Sequence, residues 1–247
     1  MPQRLKLTVA YDGTAFAGWQ SQTHRNTIQD ELEGACDRVC GERVRIHGAG
    51  RTDAGVHALA QCAHVDLPDR TLTTTRWRTA LNAILPPTIR VLGCRYVSRD
   101  FHAQFSAKGK TYRYRIWAGP VLLPLDVNRA WHISAPLEVD LLRAAGRKFI
   151  GKHNFAAFAA NRGNKEEDTV RTISSLKIRR KASLLTIDVG GDGFLYKMVR
   201  LMVGAMVRVA LGKIALEEIS NELESGRSNS ARYVAPAYGL YLIRVWY

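Results

Sequence analysis

Asp53 stands among small residues in Gly48-Ala49-Gly50-Arg51-Thr52-Asp53-Ala54-Gly55-Val56-His57-Ala58, with the cation Arg51 two positions before it. Flanking glycines allow tight turns, so such a loop can present a carboxylate at an open site. A nearby cation keeps that carboxylate ionised. Three uses are open to it: chemistry, phosphate binding, or simply capping a turn, as aspartate commonly does.

Spacing and charge remove one of these. Gly48-Ala49-Gly50 opens like a dinucleotide fingerprint, but the next glycine is Gly55 and Asp53 lies between, where it would repel a pyrophosphate. No Gly-Lys-Ser/Thr follows, so a P-loop is absent as well. His47, His57 and His64 lack the spacing of ligands on one helical face, and no metal is expected. Nor does a Ser-His-Asp order or a second paired carboxylate accompany Asp53. A lone aspartate in a basic chain suits chemistry on a base or sugar of a nucleic acid.

The charge supports that partner. The 247 residues carry 36 Lys+Arg against 22 Asp+Glu, a formal charge of +14 spread along the chain. Such an excess favours a polyanion through phosphate neutralisation and counterion release. No apolar run approaches the roughly 20 residues that span a membrane, and the start, Met1-Pro2-Gln3-Arg4-Leu5, lacks a secretory core. A cytoplasmic protein is expected. Cys36, Cys40, Cys62 and Cys94 do not make paired zinc spacings and are expected to be free thiols, buried in the core.

Other groups could serve RNA. Lys197, Arg200 and Arg208 fall on one side of a helix expected over about 194–211, close to Phe194 and Tyr196. A solvated helix face is the bland reading of that stripe. Phe101-His102-Ala103-Gln104-Phe105 and Tyr112-Arg113-Tyr114 alternate rings with polar and basic groups. Rings can stack on unpaired bases, although alternating aromatics in a strand more often pack a core. If Tyr112 and Tyr114 face one way, Arg113 and Arg115 face the other.

These residues sit on two passes of one element order. Alternation at Leu5, Leu7 and Val9 gives a strand. A helix at 27–40 starts on a Thr27–Asp30 cap and stops at Gly41. Strands near 43–47 and 60–66 flank the Asp53 loop, and a helix near 74–84 precedes a strand near 89–97. The second pass has a strand from Lys110, a helix at 138–150, strands near 170–179 and 184–189, the long helix, a short helix near 216–224 and a strand at 239–246. The fold class predicted is α+β: two ferredoxin-like or RRM-like β-α-β-β-α-β halves side by side with a central cleft. The halves divide as 1–103, with the Asp53 loop, and 104–247, completing the active site. A mobile stretch is expected at 159–168.

The chain also carries a series of motifs in order. These are Tyr11-Asp12-Gly13-Thr14-Ala15-Phe16-Ala17-Gly18-Trp19-Gln20, Gly50-Arg51-Thr52-Asp53-Ala54-Gly55-Val56-His57-Ala58, Asp100-Phe101-His102-Ala103 and Thr169-Val170-Arg171-Thr172-Ile173. Gly193-Phe194-Leu195-Tyr196 with Met198-Val199-Arg200, and Ala235-Pro236 with Gly239-Leu240-Tyr241-Leu242, complete the set. From residue 8 to the end the sequence resembles the TruA-type tRNA pseudouridine synthases. The resemblance implies isomerisation of uridine at positions 38, 39 and 40 of the tRNA anticodon stem-loop, by a homodimer without a cofactor. It implies that Asp53 is the catalytic aspartate, that Arg51 holds the flipped nucleotide and that Tyr112 stacks on the uracil. It also implies that Arg200 pairs with the aspartate and Leu240 lines the base pocket. Lys197, Arg171 and Arg208 are further candidates for RNA contact. Lys197 stands where the family usually has His, and Leu201 where it usually has Asn. Two rivals are a non-catalytic RNA-binding protein and another base-modifying enzyme such as a methyltransferase; the first does not need a lone Asp in a glycine loop, and the second lacks its cofactor loop.

Overall fold

The computed structural model describes residues 3–23, 26–68, 72–160, 168–228 and 233–247. Of the stretch 159–168, residues 161–167 lie outside the described residues. In chain order the elements are β1 Gln3–Tyr11, α1 Ile28–Cys40, β2 Ile46–Gly48, β3 His57–Leu67, α2 Thr74–Ile84, β4 Ile89–Val97, β5 Gly109–Ala118 and β6 Trp131–Ile133. They continue with α3 Val139–Lys148, β7 Gly151–Asn154, β8 Val170–Lys181, β9 Leu184–Gly191, α4 Met198–Ala210, α5 Leu216–Ser225 and β10 Leu240–Trp246. Among the described residues the fold is mixed α+β, with mostly antiparallel strand pairing and five α-helices. It forms two compact units, one within Met1–Lys108 plus Tyr241–Tyr247 and the other within Gly109–Leu240.

In the first unit β1 lies between β4 and β3, antiparallel to both, and β2 pairs antiparallel with β3. The chain's last strand also joins this unit, with Tyr241 and Leu242 parallel to His57 and Ala58. Period-2 alternation sends Leu5, Leu7 and Val9 into the core, each fully buried. Arg4, Lys6 and Thr8 point to the other face and are half-buried. Helix α1 starts where the sequence placed its cap, Thr27 accepting from the Asp30 amide, and Gly41 ends it at φ 78°.

In the second unit β9 lies between β5 and β8, β7 flanks β8, and β6 pairs parallel with β5. Helix α3 packs on α4 and on β8. The short strands β6 and β7 had no signal in the sequence reading, being only three and four residues long. The expected helix at 194–211 starts later, at Met198, because Lys197 is left-handed at φ 59°. Lys197 therefore lies outside the helix, and the basic stripe keeps only Arg200 and Arg208. Ten of the 13 residues of α4 are buried, so it is a core helix rather than one with a solvated face. Leu201 is among them, 4% exposed. At this position an apolar side chain packs, and no partner for a polar group is required.

Candidate active site

The Asp53 loop is held by a second loop, residues 11–20, and the bonds run through the first of the sequence motifs. The Tyr11 hydroxyl and Thr52 Oγ1 lie 2.8 Å apart and buried. Burial pushes the Tyr11 phenol well above its usual range, against the opposing effect of its hydrogen bonds, so the hydroxyl keeps its proton. The Trp19 amide donates to the Thr52 carbonyl at 3.0 Å, and the Val56 amide donates to the Asp53 carbonyl at 3.1 Å. Gln61 Nε2 donates to the Gly50 carbonyl at 2.9 Å.

Two glycines let the loops approach. A Cβ at Gly13 would run into the Val56 carbonyl. Gly18 has φ +97°, and a Cβ there would come within 2.6 Å of the Thr52 carbonyl. Both glycines are required by close backbone contact, and the second by its dihedral as well. The 11–20 motif stands out in the sequence only by resemblance, because its contacts with the Asp53 loop join residues about forty positions apart.

His57, one of the three histidines without metal-ligand spacing, is a core residue. It is 2% exposed, and its Nδ1 lies 3.1 Å from the Gly13 amide and 3.2 Å from Asp12 Oδ1. The neutral ring accepts from Gly13; the protonated ring pairs with Asp12. In either form it fixes the 11–14 turn, where Asp12 Oδ1 accepts from the amide and hydroxyl of Thr14. Asp53 itself is half-buried and Arg51 exposed. Arg51 Nε donates to Gln20 Oε1 at 3.2 Å, which ties the loop's cation to the second loop.

The other candidates lie in the second unit. Tyr112 is 7% exposed and meets Phe194 edge-on at 5.0 Å. Tyr114, on the same face of β5, is fully buried and donates to the Pro236 carbonyl at 2.7 Å, so it is a core residue. Arg113 and Arg115 face the other way, as alternation requires, and bind Asp188 and Asp126. Arg171 Nη1 donates to the carbonyls of Asp168 and Val170 at 3.2 and 2.6 Å. The Lys197 ammonium lies 5.0 Å from the Tyr196 ring centre, a cation–π distance. Arg208 is half-buried on α4.

Arg200 is fixed by the segment that leads to Leu240. Its Nε donates to the Ala235 carbonyl at 2.8 Å, and the Ala235 amide donates to the Arg200 carbonyl at 3.1 Å. One turn on, a Cβ at Gly204 would strike the Tyr233 carbonyl. Leu240 opens β10 at 6% exposure, and its neighbour Gly239 is pressed on the Tyr114 ring, 2.6 Å from where a Cβ would stand. Within this unit the structure thus brings Arg200, Tyr114 and the approach to Leu240 together.

Among the described residues no group of three or more His, Cys, Asp or Glu is arranged to hold a metal ion, and no helix is long and apolar enough to cross a membrane. All four cysteines are free; Cys36, Cys40 and Cys62 are buried, while Cys94 is half-buried.

Comparison with known proteins gives this arrangement a family. The tRNA pseudouridine synthase family model matches residues 7–106 and 145–247, which include both loops and α4. A tRNA pseudouridine synthase A from Akkermansia muciniphila is 46% identical, the alignment covering 99% of this chain and 95% of that protein. Proteins of the same name from Methylacidiphilum infernorum and Acetivibrio thermocellus are 44% and 40% identical, covering 98% and 99% of this chain and 94% and 100% of theirs. At such identity over the full length, the chain belongs to the TruA family of tRNA pseudouridine synthases, isomerases that convert uridine to pseudouridine in tRNA.

Proposed function

We propose that the protein isomerises uridine at positions 38, 39 and 40 of the tRNA anticodon stem-loop, with Asp53 as the catalytic residue. The observation that carries this reading is the half-exposed Asp53 side chain on a loop locked by Tyr11, Gly13, Gly18 and Trp19. A carboxylate meant only to cap a turn does not need so much of a second loop behind it. A reacting group does, because small displacements of such a group cost rate.

The target uridine leaves its stack, at a cost of a few kcal/mol. Asp53 then initiates cleavage of the N1–C1′ bond, as nucleophile or as base at the sugar. The freed uracil turns, its C5 bonds to C1′, and the C5 proton is lost while N1 gains one. Atoms balance without any cofactor. Arg51 holds the flipped nucleotide, Tyr112 stacks on the uracil and Leu240 lines the pocket. Arg200 is assigned the pairing with the aspartate. Lys197, Arg171 and Arg208 are assigned phosphate contacts. The enzyme is read as a cytoplasmic homodimer with two ferredoxin-like halves in each subunit.

The experiment is tritium release from C5-labelled uridine in tRNA. Asp53→Asn and Asp53→Ala are expected to bind tRNA as the parent does and to lose at least about a thousandfold in rate. Substantial pseudouridine formation by purified Asp53→Ala would remove Asp53 from its role. Release confined to uridines outside the anticodon stem-loop would remove the site assignment.

A further inference from the structure

Phe105 leaves 79% of its surface open to solvent. A single exposed apolar side chain needs no explanation, but this one is held rigidly. Its ring stacks on His102 with centres 4.3 Å apart and planes at 26°. His102 Nδ1 accepts from the amides of Gln104 and Phe105 at 3.2 and 3.3 Å. The His102 amide donates to Ser106 Oγ, and the Ser106 amide to the His102 carbonyl, each at 2.9 Å. Four hydrogen bonds close the turn that presents the ring.

Behind it the stack continues inward. His102 stands edge-on to His64 at 4.7 Å, and His47 stacks on His64 at 5.0 Å. His64 Nδ1 accepts from the Ala103 amide at 3.1 Å. Burial, reinforced by His47 and Arg4, lowers the pKa of His102, so at neutral pH the ring behind Phe105 is an uncharged π surface. Ala103 packs with Ala49 and Cys62, which joins this turn to the start of the Asp53 loop inside the same unit. Basic side chains lie on the same unit. Arg4 grips the carbonyls of Arg99 and Phe101 at 2.5 and 2.8 Å and is itself paired with Asp66 at 2.7 Å. Lys6 lies 4.0 Å from the Tyr247 ring centre, and Arg99 and Lys108 are exposed on either side in the chain.

We propose that the outer face of Phe105 is a stacking site for an unpaired base of the tRNA. The inference rests on the tRNA reading above and adds a contact that reading does not assign. A fixed ring with basic side chains on the same unit, in a chain of charge +14, matches a base with its phosphate: the ring takes the π-face and the cations take the charge.

The test compares Phe105→Ala, Phe105→Leu and Phe105→Trp with the parent, using a labelled, unmodified tRNA transcript. Phe105→Ala and Phe105→Leu are expected to raise Kd and KM about tenfold with kcat unchanged, and Phe105→Trp to stay near the parent. The slope of log Kd against log salt should not change, because no phosphate contact is removed. A Kd within twofold of the parent in Phe105→Ala overturns the proposal, as does a Phe105→Leu variant that binds like the parent. Loss of assembly mass on sedimentation of Phe105→Ala also overturns it, giving the ring to a second copy of the chain. The Asp53→Asn rate is scored separately, so pseudouridine formation by that variant would sink the catalytic reading while leaving the affinity comparison intact.

Discussion

In the first unit Asp53 rides on a loop, in the second Arg200 rides on a core helix, and a glycine without room for a Cβ stands behind each. Gly13 abuts the Val56 carbonyl and Gly204 the Tyr233 carbonyl. The bonds around them differ. The loop hangs on a few individual hydrogen bonds, among them the Tyr11–Thr52 hydroxyl pair, the His57 imidazole and the Trp19 amide. The helix is held by an apolar surface that covers most of its circumference, and Arg200 Nε adds a bond to the Ala235 carbonyl. The position of Asp53 therefore depends on single atoms, and that of Arg200 on volume.

Gly13→Ala and Gly204→Ala break the two arrangements at their tightest points. Each methyl group would overlap a backbone carbonyl, and overpacking of this kind costs about 3 kcal/mol. The outcomes should diverge. Gly204→Ala is expected to lower Tm sharply and, in whatever fraction stays folded at low temperature, to lose less activity than Gly13→Ala. Gly13→Ala is expected to lose activity even where circular dichroism shows a folded chain, because the Asp53 loop must move away. Equal activity per folded molecule in the two variants would refute the contrast.

Tyr11→Phe tests the polar side of the comparison with a smaller change. It removes the buried hydroxyl opposite Thr52 and leaves the ring in place, a loss of about 1 kcal/mol. The expected reading is a Tm a few degrees lower and a kcat reduced severalfold, with tRNA affinity unchanged. An unaltered kcat would show that the Thr52 bond does not govern the position of Asp53.

Periodicity and caps made much of this legible. Alternation at Leu5, Leu7 and Val9 found β1, and the Thr27–Asp30 cap found α1. The start of α4 escaped because a left-handed Lys197 has no signature in one sequence; lysine is not a residue from which positive φ is read. The basic stripe at 197, 200 and 208 failed for the same reason. Around the Asp53 loop the acid itself was readable from its glycine setting, but its support was not. That support comes from residues about forty positions earlier, brought close by the pairing of β1 with β3. The turn that His57 fixes had no sequence signal because its partners, Asp12 and Gly13, are equally remote in sequence.

The smallest effect separates the units by acid. In the first, burial lowers His64 from 6.5 to about 4, helped by Arg4, His102 and His47 and opposed by Asp66. The unfolded chain therefore binds a proton at His64 between pH 6.5 and about 4 that the folded chain refuses. Stability falls as pH drops through that window, by less than about 1 kcal/mol at pH 6. In the second unit burial would raise Asp188, but hydrogen bonds from Arg113 and Arg179 outweigh it and hold the carboxyl below 3.8. Its contribution is complete above pH 3.8 and is lost only as pH falls through the lower folded value. His64→Gln, which keeps an acceptor for the Ala103 amide, is expected to flatten the dependence of Tm on pH between 6.5 and 4, whereas Asp188→Asn leaves that interval's slope unchanged. A His64→Gln protein whose Tm falls as steeply as the parent's would place the acid sensitivity elsewhere.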